Sequence, residues 1–362
     1  MPSAKNLSHS AFAYMDVMKQ FTFKLFAVLA VAMTIGACAK KQDEVAYSFV
    51  VAGDCRMDKS DTNSTTNPAG INIAQFDRLF SEVAELNPKP AFLFFDGDEI
   101  FGYEHDTVKL RHALELWRDR AEASPTAKAG IKIVAIPGNH ETDIDNGDKK
   151  FSSPENEHEW LDVMQPLISG NDGPHQGGAD TLATDQSQLT YSFDYHDSHF
   201  IVMNTDPDGQ DSHVPVHWIE QDIAKARQNG AKHIFAIGHK PAFNSDGSMS
   251  MAGGIRTDFW AAMEAAHAEA MIGAHVHEYA RFQPHHHGTW MIIAGNGGTP
   301  LEKDLPPEQQ YFGFVVVTVM KSGRVIVKSY GHNVPAAGYA AEDSPSQNPT
   351  AVRDSADITW KD

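Results

Sequence analysis

From about residue 46 the chain alternates short apolar runs with segments whose apolar residues recur at helical spacing. Ala46–Ala52 reads as a buried strand, Ile73–Leu86 as an amphipathic helix and Pro90–Asp98 as a second buried strand. Thr107–Ala123 returns to helical spacing, and Ile131–Glu141 is a third apolar run that ends in polar residues. Residues 142–188 break the rhythm with Gly, Asp, Asn, Ser and Pro, and a connection of that length predicts a functional loop or a cap insertion. Leu189–Asp206 reads as a hairpin pair of strands. The helix "VHWIEQDIAKARQNG" follows, and then the strand Lys232–Pro241, which runs into a histidine; "EAMIGAHVHEYARF" repeats that form. "TWMIIAGNGG" and "YFGFVVVTVMKSGRVIVKSY" close the pattern as strands, the last pair turning at Ser322–Gly323. The alternation predicts an α/β domain of stacked βα units around a central sheet. Residues 335–362, rich in Ala, Pro, Ser and Asp with no apolar period, read as a tail with little structure.

The first 37 residues follow another logic. Lys19 and Lys24 precede Leu25–Ala37, an apolar run of 13, too short to span a bilayer and suited to a secretory signal. Residues 1–17 read as an upstream mis-start, because Met18 gives a leader of ordinary length. The run ends in Ile35-Gly36-Ala37-Cys38, which resembles the lipobox of bacterial lipoproteins. That resemblance implies lipidation of Cys38, a short tether at 38–45, and contact with a membrane through the lipid alone. Ala39 in place of aspartate favours the outer membrane, on its periplasmic side or at the cell surface. The alternative is an ordinary secretory signal that happens to carry a cysteine. With Cys38 lipidated, Cys55 has no partner for an intrachain disulfide. A formal net charge of −19 repels polyanions, so no nucleic-acid-binding surface is expected. Small phosphate esters remain open, because bound metal ions invert a local field.

Candidate chemistry sits at strand ends. Asp54, Asp98, Asn139, His239, His275 and His277 each follow an apolar strand, and parallel strands would bring them to one edge. Mixed oxygen and nitrogen donors suit a pair of divalent transition ions, a device for displacement at phosphorus. Other histidines, such as His105, His158, His213 and the run His285–His287, lie in polar stretches and read as solvated. Alternation places Asp54 and Arg56 on one side and turns Cys55 away into packing.

In order, "GDCR", "DGDEIFGY", "PGNHE", "IGHKP" and "GAHVH" resemble the five motifs of the calcineurin-like metallophosphoesterases. "AGNGGTPL" and the closing hairpin resemble the purple acid phosphatase-like branch. The resemblance implies a four-layer α-β-β-α sandwich over residues 46–334 and a centre of two divalent ions, iron, manganese or zinc. It implies Asp98 as the bridging ligand, Asp54 and His277 completing a first site, and Asn139, His239 and His275 a second. A water or hydroxide between the ions would attack phosphorus directly, His140 would contact the phosphoryl group and assist the leaving oxygen, and Glu141 and Asp96 would support the ligands. Arg56 stands where many members carry a histidine ligand, and arginine stays protonated and binds no metal. The reading favoured here is a catalytic phosphate clamp beside a weakened first site; the others are a weak or empty first site with the guanidinium in place of its ion, and a surface salt bridge, which fits poorly with a place beside Asp54. Phe101 stands where protein Ser/Thr phosphatases have aspartate and purple enzymes a metal-binding tyrosine, so neither activity is expected, and Tyr103 is displaced by two. The expected function is metal-dependent hydrolysis of phosphate mono- or diesters on a secreted, lipid-anchored protein. The alternative is a non-catalytic lipoprotein that binds a phosphorylated ligand.

Overall fold

The computed structural model describes residues 43–62, 65–247 and 250–360; the leader, Cys38 and the tether as far as residue 42 lie outside the described residues. In chain order the elements are β1 (Val45–Ala52), α1 (Ile73–Ala84), β2 (Phe92–Asp96), α2 (Thr107–Glu122), β3 (Lys132–Ile136), β4 (Asp143–Asp145), β5 (Lys150–Ser152), α3 (Pro154–Met164), β6 (Tyr191–Tyr195), β7 (Ser198–Met203), α4 (Val216–Gln228), β8 (His233–Gly238), α5 (Gly253–Ala265), β9 (Ala270–Gly273), β10 (Tyr279–Phe282), β11 (Trp290–Ala294), β12 (Tyr311–Met320), β13 (Val325–Asn333) and β14 (Ala351–Asp357). Among the described residues no helix is long and apolar enough to cross a membrane.

β1 is apolar on both faces, so both must be covered. Phe49 and Val51 pack with Phe94, Val134, Phe200, Phe235 and Val317 between two sheets. Phe49 meets Phe200 and Phe235 edge-on, each at 5.1 Å, an arrangement that adds to simple burial. Val50 and Ala52 face Phe76 and Phe80 of α1, Trp117 of α2 and Trp160 of α3. A third seam joins Ile201, Ile234 and Met271 of the second sheet to Ile219 of α4 and to Phe259 and Trp260 of α5. Three apolar seams make four layers, an α-β-β-α sandwich. The sheets run β14-β13-β12-β1-β2-β3 and β10-β11-β9-β8-β7-β6. β1, β2 and β3 are parallel neighbours, as are β7, β8 and β9.

Two expectations need correction. Residues 142–188 are not all loop: β4 and β5 pair as a hairpin, and α3 supplies Trp160 and Val163 to the core. Its start is well specified, with Ser153 Oγ accepting from the Asn156 amide and Pro154 at the first helical position. The tail is structured too. β14 pairs antiparallel with β13, Ile358 is fully buried, and Arg281 donates to Asp354 at 2.8 Å. An exposed edge strand held by its ladder and by charges carries no apolar period, so hydropathy misses it.

His199 of β7 pins α4 to the second sheet, its Nδ1 2.7 Å from Asp194 and its Nε2 2.8 Å from Asp222. Burial pushes the imidazole pKa down, but the two carboxylates outweigh it and the net shift is upward. Its stabilisation is therefore complete below the unfolded value of about 6.5 and is lost as pH rises through the higher folded value. His199→Gln is expected to cost about 1–3 kcal/mol in mildly acid solution and progressively less toward alkaline pH. Melting temperatures of both proteins across pH check this, and a difference that does not vary with pH would rule out the charged bridge.

Candidate metal centre

Three strands end alike. Gly53 after β1, Gly97 after β2 and Ala274 after β9 each precede a residue in the left-handed region: Asp54 at φ 56°, Asp98 at 51° and His275 at 65°. Such conformations cost about 1–3 kcal/mol each in non-glycine residues and collect at functional sites. The glycines allow the strand ends to crowd together: a Cβ on Gly97 would lie 2.5 Å from His239 Nδ1. After β3, the turn Asn139–Thr142 is tied to the end of β2 by Glu141. Its carboxylate accepts from the amides of Gly138 at 2.9 Å, Asp98 at 3.0 Å and Ile100 at 3.1 Å.

Asn139 Oδ1 lies 3.1 Å from His239 Nε2 and 2.9 Å from His275 Nδ1. Asp98 Oδ1 is 3.1 Å from the same His239 Nε2. Neighbouring groups choose which atoms face inward. Asn139 Nδ2 donates to the Tyr103 hydroxyl, which leaves Oδ1 for the histidines. His239 Nδ1 donates to the Asp96 carbonyl at 2.8 Å, which turns Nε2 toward Asp98 and Asn139. Burial, reinforced by His239, holds the His275 imidazole well below its ordinary range, so it is a neutral donor. One carboxylate, one amide oxygen and two imidazoles form a donor set that fits one divalent transition ion.

Asp54, Asp98 and His277 form a second group, with ligand atoms within 4.8 Å of one another. Asp54 Oδ1 is buried without a hydrogen-bond partner. His277 Nδ1 donates to the Pro300 carbonyl at 2.9 Å, which turns Nε2 inward. Arg56 intrudes here: its Nε donates to Asp98 Oδ2 at 2.9 Å, and its Nη2 lies 3.5 Å from His277 Nε2. The guanidinium thus sits among the donors that a second ion would need. The residues fit one ion well, and a second only if Arg56 moves.

His140 directs Nδ1 at the Phe101 carbonyl, and its Nε2 is 3.6 Å from Asp98 Oδ2. Burial pushes its pKa down to about 3, so the ring is neutral. Burial also raises Asp98, but the charges of His239 and Arg56 outweigh it and hold the carboxyl well below its usual range. Asp96 supports His239 through its carbonyl oxygen, not its carboxylate. Both carboxylate oxygens are buried without partners, and burial lifts the group to about 8. Cys55 is buried, with Sγ 3.6 Å from the Asn72 carbonyl.

Asp54, Arg56, Asp98, Asn139, His140, Glu141, His239, His275 and His277 thus lie together in one site, while Cys38 falls outside the described residues. Sequence reasoning assigned no role to Tyr103, Thr299 or Pro300. Thr299 Oγ1 accepts from the Arg56 amide at 3.1 Å, and "AGNGGTPL" was its signal. Asp143, Asp206 and Asp211 also lie within mutual reach, but there the Lys240 ammonium already pairs with Asp206.

A mixed α/β sandwich with carboxylate, amide and imidazole donors gathered at the strand ends describes a class of proteins built to hold divalent metal ions. The chain belongs to the calcineurin-like phosphoesterase family, whose pattern matches residues 47–279. No curated protein matches the sequence. Among solved structures it is similar to the purple acid phosphatase PPD1 from yellow lupin (Lupinus luteus) seeds, with a TM-score of 0.54 and 16% identity over 80% of this chain and 52% of that one. It is also similar to GAP50, the anchor in the inner membrane complex of Plasmodium, with a TM-score of 0.46 and 14% identity over 79% and 84%. The chain spans about half the length of the lupin protein, and the likeness to that protein is one of fold.

Proposed function

We propose that the protein is a metal-dependent hydrolase of small phosphate esters, exported and held to the outer membrane of a bacterium by lipid on Cys38. The observation that carries this reading is the run of close donor contacts from Asp98 Oδ1 through His239 Nε2 and Asn139 Oδ1 to His275 Nδ1, beside the group of Asp54, Asp98 and His277. Asp98, Asn139, His239 and His275 would hold iron, manganese or zinc. When bound, the ion supplies a Lewis acid for a phosphoryl oxygen and lowers the pKa of water. Arg56 commits Nε to Asp98, and its two terminal nitrogens would pair with phosphoryl oxygens in the bidentate manner that a planar fork suits. His140, its Nδ1–H held by the Phe101 carbonyl, presents an unprotonated Nε2, which would take up a proton from the attacking water or the bound ester and return it to the leaving oxygen. Asp54 and His277 would hold a second, weaker ion. Support for export and the anchor comes from the leader and Ile35-Gly36-Ala37-Cys38 alone.

One observation favours a second reading, a lipoprotein that binds a phosphorylated ligand without turning it over: the guanidinium lodged between Asp98 and His277. Metal content and hydrolysis of chromogenic mono- and diesters, measured on one preparation, separate the two. About one tightly held ion with turnover is expected, in protein that partitions into detergent. Absence of turnover at every metal loading would leave only the binding protein.

A further inference from the structure

A cavity of about 460 Å³ opens beside the centre, and Arg56, Tyr103, His140 and Lys150 line it. Lys150 comes from the β4–β5 hairpin, which follows directly on the turn that carries Asn139 and His140. Its ammonium lies 3.6 Å from the centroid of the Tyr103 ring, and that ring is 4.0 Å from the His140 ring. Lysine, phenol and imidazole therefore stand in series along one wall. An aromatic face holds an ammonium in place without neutralising it, as a carboxylate would. The acidic residues lining the same cavity each have a hydrogen-bond or ion-pair partner of their own, although Asp145 also stands opposite Lys150 across the β4–β5 ladder. Asp58 accepts from the Ser60 amide at 3.0 Å, Asp145 accepts from the Gly147 amide at 2.8 Å, and Glu104 lies 3.9 Å from Lys109. The cavity thus carries three cationic side chains, Arg56, Lys59 and Lys150, balanced in number by its three carboxylates, with a neutral imidazole toward the centre.

We propose that Lys150 is a specificity-determining residue: with Arg56 and His140 it forms an anion pocket that favours a terminal, doubly charged phosphoryl group over a phosphodiester. This rests on the hydrolase reading and narrows its substrate class. A phosphate monoester has a second pKa of about 6 and is largely dianionic at neutral pH. A diester carries one charge, and its second substituent occupies the place of the oxygen that Lys150 would meet. Arg56 is already paired with Asp98, and of the two lysines lining the cavity Lys150 is the one held over the Tyr103 ring beside His140, so the second negative charge falls to it.

Lys150→Met keeps a stem that lies on Tyr103 and removes the charge. In the manganese-loaded full-length protein, affinity for inorganic phosphate measured by calorimetry is expected to fall about 10-fold, equivalent to about 1.4 kcal/mol. For 4-nitrophenyl phosphate, kcat/KM is expected to fall by a similar factor through KM, while bis(4-nitrophenyl) phosphate changes less than about twofold. Lys150→Arg is expected to retain phosphate affinity, and Lys150→Gln to behave as the methionine variant. Equal losses on the two esters, or unchanged phosphate affinity in Lys150→Met, would overturn the proposal. If the parent protein hydrolyses neither ester, the hydrolase reading fails, and the phosphate comparison still decides whether Lys150 forms an anion pocket.

Discussion

Replacing His140 with asparagine is expected to lower kcat by about 10²- to 10⁴-fold and to leave the metal content unchanged. The main chain of His140 holds the site together and survives the change: its amide lies 3.3 Å from Asp98 Oδ1, and its carbonyl accepts from the Tyr103 amide at 2.9 Å. Only the ring is lost, and with it Nε2, the atom placed to take up a proton and return it to the leaving oxygen. Asparagine donates a hydrogen bond but transfers no proton, so an alkyl ester should suffer more than a nitrophenyl ester, whose leaving group departs without protonation. Turnover of both esters, read beside metal content, checks this. Loss of metal in the variant would make His140 a structural residue, and an undiminished kcat with bound metal would remove it from the reaction.

The donors were legible because each sits directly after an apolar run, and a strand end is a position that sequence can count to. How those donors are aimed was not. Asp54, Asp98 and His275 all leave the strand through left-handed backbone, where the two-residue alternation along a strand no longer applies. Tyr103 shows the consequence. Gly102 and Tyr103 both have positive φ, at 62° and 59°, and that turn brings the phenol to Asn139 from a position two residues away from the family's tyrosine. Helix α3 escaped notice because Trp160 and Val163 lie among charged residues, and β14 because an edge strand buries little. Lys150 had no local signal, since its place depends on the hairpin folding back over Tyr103.

Arg56→His is expected to raise the metal content from about one ion per chain to about two. In arginine, Nε is separated from Cβ by two carbons, as Nε2 is in histidine, so the imidazole nitrogen should arrive near the point now taken by Nε, 2.9 Å from Asp98 Oδ2. There it would join Asp54 and His277 in a set of neutral and anionic donors, whereas the guanidinium repels a cation and offers no lone pair. The backbone is prepared for either side chain, because the amide of residue 56 is held by Thr299 and does not depend on the guanidinium. Arg56→Met removes the charge without supplying a ligand and is expected to bind a second ion only weakly, which separates relief of repulsion from coordination. Metal analysis of the three proteins after dialysis against free metal decides. Two firmly held ions in the unaltered protein would mean that Arg56 swings clear of Asp98 when metal enters. A single ion in Arg56→His would mean that Asp54 and His277 serve the fold or the phosphate and not a metal.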